Sequence, residues 1–194
     1  MVAQAFQPVL VSDSGIRYMI TMRTILAMLL AIAGFAQSSR SPIAIAGEFS
    51  NMRYTAEHAY GYSIQLWREG SAVFGLFLAS DGLAGDTPAG VLENVKFDSA
   101  TGKLSFQAKL TMGMDIVAGK EQPSRDLFEF EGRLNEAALA GILRHSDRLQ
   151  TEPNSQAERI RLRRRAGSSM QLPRSYDEWK MQTSEILKLR GPKW

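Results

Sequence analysis

From Gly47 to Arg163, apolar and polar side chains alternate between turn residues that recur about every 8–12 positions, the period-two pattern of strands. Lys103 to Thr111 is the clearest case. Leu104, Phe106, Ala108 and Leu110 take one face, and Lys103, Ser105, Gln107 and Lys109 take the other. Arg125 to Leu134 sets Phe128, Phe130 and Gly132 inward and Glu129, Glu131 and Arg133 outward; Glu158 to Arg163 sets Ile160 and Leu162 inward. Adding Phe49–Thr55, Gly61–Arg68, Ala72–Ala79, Gly90–Phe97 and Ala138–Arg144 makes eight strands. Eight short antiparallel strands, each with an apolar face, predict a mainly β protein, a closed up-and-down barrel or a sandwich, with the barrel favoured because closure removes bare edges.

A two-residue turn at Glu69-Gly70 would pair Trp67 with Ala72 and Leu66 with Val73. Tyr62, Ile64, Leu66, Val73, Gly75 and Phe77 then share one face, while Trp67, Phe74, Leu76 and Leu78 make the opposite face apolar too. That second face needs cover from outside the barrel. The last segment can supply it. Ser175-Tyr176-Asp177-Glu178 reads as a capping box, Lys188 and Arg190 suit the far end of the helix dipole, and Gly191-Pro192 ends the helix. Tyr176, Trp179, Thr183, Ile186 and Leu187 form a stripe at helical spacing that is expected to lie on Trp67 and Phe74.

This order of elements resembles the layout of lipocalins and avidins over Gly47 to Arg190. Gly47-Glu48-Phe49 stands where the lipocalin first strand carries Gly-x-Trp, with Phe in place of Trp, so the resemblance is one of layout and not of family. What it implies is a barrel that takes up small apolar molecules.

The first 46 residues read differently. Ile25 to Ala36 is a twelve-residue stretch without charge, preceded by Arg23, and small-x-small sites follow at Gly34-Phe35-Ala36 and Ala44-Ile45-Ala46. This is the pattern of a cleavable signal peptide, and the later site is preferred because the earlier one leaves no polar spacer. Twelve residues cover only about 18 Å of a hydrocarbon layer about 30 Å thick, so no membrane span is expected after cleavage. The domain reading is therefore 1–46 as extension and signal, 47–165 as barrel, and 166–194 as linker and helix, in a chain that is exported to the periplasm or secreted.

The absence of cysteine removes disulfides, thiolate metal sites and thiol nucleophiles. With two histidines and none of the Gly-x-Ser-x-Gly, Walker or His-Glu-x-x-His motifs, neither enzymatic activity nor a metal or cofactor is expected. His145-Ser146-Asp147 gathers suggestive residue types, but sequence neighbours seldom aim at one another. Charge divides by region. Residues 47–142 carry 8 basic and 13 acidic side chains, net −5, and residues 143–194 carry 12 and 6, net +6.

Two sets of candidate site residues follow. Glu93 lies between Val91 and Val95 and is expected inside the barrel, orienting a small, partly apolar ligand against Tyr62, Phe77, Phe106 and Phe130. Arg159, Arg161, Arg163, Arg164 and Arg165 form a basic cluster suited to an anionic lipid or polysaccharide surface, which fits an exported protein better than nucleic acid. The leading functional expectation is a non-enzymatic barrel with an internal ligand. The alternative is a structural or interaction module of the cell envelope, its barrel filled and its basic C-terminal segment against an anionic surface or protein partner.

Overall fold

The computed structural model describes residues 43–85, 87–150, 155–167 and 170–194; the signal peptide expected within the first 46 residues falls almost wholly outside them. Among these residues there are eleven strands and one helix: β1 (Ile43–Ser50), β2 (Arg53–Tyr54), β3 (His58–Glu69), β4 (Ala72–Leu83), β5 (Ala89–Asp98), β6 (Lys103–Leu110), β7 (Met114–Val117), β8 (Lys120–Pro123), β9 (Asp126–Leu134), β10 (Ala138–Asp147), β11 (Ser155–Arg164) and α1 (Tyr176–Arg190). Strands β1, β3, β4, β5, β6, β9, β10 and β11 pair in that order as an antiparallel meander, and β11 returns to β1 to close an eight-stranded barrel. The expected fold class is the observed one. Strand β2 flanks β3, and β7 and β8 make a separate hairpin between β6 and β9.

The β3–β4 turn falls on Gly70 and Ser71, one residue later than the sequence suggests, with Glu69 opposite Ala72 and Gly70 at φ 60°. The shift moves the register by two positions, so every side chain keeps its face. Strand β5 behaves otherwise. A bulge between Glu93 and Lys96, with Asn94 at φ 52°, inserts one residue and inverts the alternation. Leu92, Val95 and Phe97 therefore reach the core, whereas Val91 joins the cluster on the outer face.

Closure depends on a short seam. Strand β1 meets β11 through Phe49 opposite Arg164 and Ser50 opposite Arg163, and Arg165 N–H extends the contact to Glu48 O at 2.9 Å. The Arg164 guanidinium lies 4.8 Å over the Phe49 ring and donates to Ala46 O at 2.8 Å and to Glu136 O at 2.5 Å. Gly47, at φ 142°, makes room for it, since a Cβ there would stand 2.6 Å from Arg164 Nη1.

Inside, the ring centroids of Tyr62 and Phe77 lie 5.8 Å apart, Phe77 and Phe106 5.8 Å, and Phe106 and Phe130 5.1 Å. Phe130 lies across Gly132 and Gly141, which pair between β9 and β10; a Cβ on either glycine would meet its Cζ at 2.5 or 2.8 Å. These aromatics, with Ile64, Leu66, Leu139, Leu143 and Leu162, are the core that fills the barrel.

Helix α1 covers the second apolar face, as its stripe predicts. The Trp179 ring lies 4.8 Å from Phe74 and 6.0 Å from Trp67, and Tyr176 meets Phe74 at 5.0 Å. Ser175 Oγ caps the helix by accepting from Glu178 N–H at 3.1 Å, while the Glu178 carboxylate accepts from Arg174 N–H at 2.6 Å, one residue earlier than a capping box predicts. The Trp194 indole donates to Leu110 O at 2.8 Å and secures the C-terminus to the end of β6. Because Trp179 is 5% exposed and Met181 63%, Trp179→Ala is expected to cost about 3–5 kcal/mol in chemical denaturation and Met181→Ala less than about 0.5 kcal/mol. Equal effects would contradict docking by this face.

Candidate anion-binding wall

Register aligns the outward positions of five strands, β5, β6, β9, β10 and β11, into rows. One row runs Asp98, Lys103, Arg133, Ala140, Arg161, and the next runs Lys96, Ser105, Glu131, Ile142, Arg159. Arg163 stands beside Ala138 and Arg144 beside Glu129. The wall thus gathers seven cations, all exposed, from segments up to 67 residues apart in the chain. Among the described residues none of the seven takes part in an ion pair.

Two of the wall's acidic groups, Asp98 and Glu129, accept side-chain hydrogen bonds, while Glu131 lines the hollow beside the cations. Hydrogen bonds from the Thr101 hydroxyl and the Ala100 amide hold the Asp98 carboxyl below its usual range, with Lys103 a smaller contributor. Asn94 donates to Gln107 at 2.6 Å and Gln107 to Glu129 at 2.7 Å, a chain of amides that ties β5 to β9. Between the rows lies a concavity of about 640 Å³ lined by Lys96, Lys103, Arg133, Arg144, Glu131 and Ile142, and a second of about 250 Å³ adjoins it. Several cations converging on a partly apolar hollow suit phosphate, sulfate or carboxylate groups on an extended ligand.

The two predicted sets of residues separate. Tyr62, Phe77, Phe106 and Phe130 do come together, but as the packed interior, with Phe77 wholly buried. Glu93 is not among them. The bulge turns it outward, where its carboxylate lies 3.6 Å from Lys109 Nζ. Of the basic cluster, Arg159, Arg161 and Arg163 join the wall. Arg164 turns onto Phe49, and Arg165 pairs with Glu48 Oε1 at 3.1 Å, so both serve closure. Lys96, Lys103, Arg133 and Arg144 are not among the site residues the sequence suggests. Their outward orientation is visible in the alternation, but their alignment across strands exists only through register.

At the other end of the barrel the inward positions turn polar. The Tyr62 hydroxyl donates to Glu158, and burial, followed by that partner, pushes the phenol above its ordinary range. His145 Nε2 meets Asp126 Oδ1 at 2.7 Å, so its partner is not the neighbouring Asp147, and the ring stacks on Phe128 at 4.4 Å. No cluster able to hold a metal ion occurs among the described residues. Burial alone would raise the Asp126 pKa, but the His145 and Ser124 side chains and the Met112 amide outweigh it and hold the carboxyl below its usual range. The folded pKa thus lies below the unfolded one. The stability it contributes is complete above the ordinary aspartate range and is lost as pH falls through the lowered value. Asp126→Asn is expected to reduce stability at neutral pH and to flatten the acid limb of melting temperature against pH; a parallel limb would contradict this assignment.

Protein-family models, curated protein sequences and solved structures were all compared with the chain, and none matches it.

Proposed function

We propose that the protein is a non-enzymatic interaction module whose outer wall binds an anionic polysaccharide or lipid surface. One observation carries the reading: Lys96, Lys103 and Arg133 face solvent around the 640 Å³ hollow, with Arg161 and Arg159 further along the same rows, and none has an ion pair among the described residues. Seven exposed cations without ion pairs among the described residues would raise the local concentration of polyanions, and attraction of this kind weakens as salt screens it. The mutual contacts of Phe77, Phe106 and Phe130 favour this reading over a small apolar ligand inside the barrel.

Retention on heparin and co-sedimentation with vesicles containing anionic lipid test the proposal and separate the two sources of negative charge. The wild-type chain is expected to bind at least one of them at low salt and to elute as salt rises. Arg133→Glu combined with Arg161→Glu is expected to abolish binding while leaving the melting temperature within about 2 °C, since both side chains are exposed. Failure to bind either one at low salt overturns the proposal.

Export belongs to the same reading, and the barrel bears on where a leader would be cut. Strand β1 starts at Ile43, Ala46 packs against the core and Ala46 O accepts from Arg164. Cleavage after Ala46 would remove half of β1, whereas cleavage after Ala36 leaves it whole. The mature chain is therefore expected to begin at Gln37 and not at Gly47, which the intact mass of protein recovered from the cell envelope decides.

A further inference from the structure

The seam between β1 and β11 is much shorter than β11 itself. Strand β11 pairs with β10 from Ala138–Arg163 to Ser146–Ser155, but with β1 only at Phe49–Arg164 and Ser50–Arg163. Two hydrogen bonds show which backbone groups are left over. Arg164 N–H donates to Ala137 O on the β10 side at 2.8 Å, and Arg165 N–H donates to Glu48 O on the β1 side at 2.9 Å. Successive residues of an antiparallel strand direct their N–H and C=O groups to alternate sides. Ala157, Arg159 and Arg161 therefore direct theirs to the β1 side. There β1 has ended at Ser50; after Asn51 and Met52 the chain resumes along β3 as β2, in the register of β1, but forms no ladder with β11. Among the described residues no backbone hydrogen bond reaches these three, and the gap is spanned by the side-chain bond from Tyr62 to Glu158.

We propose that this free edge binds an extended acidic peptide by taking it up as an additional strand. The three residues expose both halves of a strand ladder, and backbone pairing of this kind supplies affinity without demanding a particular sequence. Selectivity comes from the side chains. Arg159 and Arg161, with Arg163 beyond them, point outward from the edge and are exposed. A guest strand places its own outward side chains about 4.5–5.5 Å from them, where acidic residues are favoured and basic ones repelled. Its inward side chains would meet Tyr62, Glu158 and Ile160, where a further negative charge would be opposed by Glu158. The guest is thus acidic at every second position and uncharged between. A second copy of the chain does not fit, because edge-to-edge pairing would set arginine against arginine.

The proposal shares Arg159, Arg161 and Arg163 with the wall but is distinguished from it, since attraction to the wall needs charge alone and the edge needs backbone. Fluorescence anisotropy with a labelled peptide of alternating Glu and Thr tests it, against the same peptide N-methylated at alternate residues and one with Lys for Glu. The first is expected to bind, and N-methylation to weaken binding at least about tenfold at unchanged charge. Ala157→Pro is expected to weaken it similarly while keeping the fold, because the lost N–H faces away from β10. Hydrogen exchange is expected to be fast at Ala157, Arg159 and Arg161 in the free protein and slowed in the complex. Equal binding of the N-methylated peptide, no binding of the parent, or protection of those amides in the free protein overturns it. Should Ala157→Pro fail to fold, the peptide comparison still decides.

Discussion

Every feature of this protein depends on one closure, the return of β11 to β1. A meander of eight strands has two bare edges until its ends meet, and here they meet over two register pairs. Such a short ladder needs help, and Arg164 and Arg165 supply it. One arginine bridges the carbonyls of Ala46 and Glu136 over the Phe49 ring, and the other extends the ladder to Glu48. Charged hydrogen bonds to carbonyls are stronger than neutral ones, and a guanidinium stacked on an aromatic ring adds to them. The seam is strong where the arginines stand and its ladder ends at Ser50, beyond which β11 pairs with β10 alone.

Closure also decides what the interior can be. An eight-stranded barrel is narrow enough for its own side chains to fill. Phe77, Phe106, Phe128 and Phe130 do so by edge and face contacts, and the paired glycines Gly132 and Gly141 let Phe130 lie flat against the wall. The same aromatic residues would line a pocket if small residues faced them. Here large residues face them, and polar groups gather at the end around Asp126, His145, Tyr62 and Glu158.

Much of this is legible in the sequence, for a physical reason. In a strand the side-chain period is two, so inward and outward sets can be assigned wherever nothing interrupts the count. The faces of β3, β4, β6, β9 and β11 follow directly, and even the misplaced turn at Gly70 leaves them intact because its register error is even. Glu93 is misread because a single residue inserted at Asn94 inverts the count, and a bulge of this kind has no obligatory residue type. Arg164 and Arg165 look like the arginines before them, and only the position of β1 shows that they close the seam. The pairing of His145 with Asp126, and of Lys103 with Arg133 and Arg161 in one row, arises from register between strands, which composition does not encode.

The outer surface is divided by the same logic. Trp67, Phe74, Leu76 and Val91 make the outside of β3 to β5 apolar, and α1 covers Trp67 and Phe74 with Trp179. On the outside of β9 to β11 the positions between the arginines are Ala138, Ala140 and Ile142, too small an apolar set to hold a second helix. Covering that side would also bury unpaired guanidinium groups, which is costly. Among the described residues α1 is the only helix, and the side it does not cover is the side that keeps its charge. The cations are stable there because water solvates them. The exposure that makes this wall cheap to maintain also makes it available to bind.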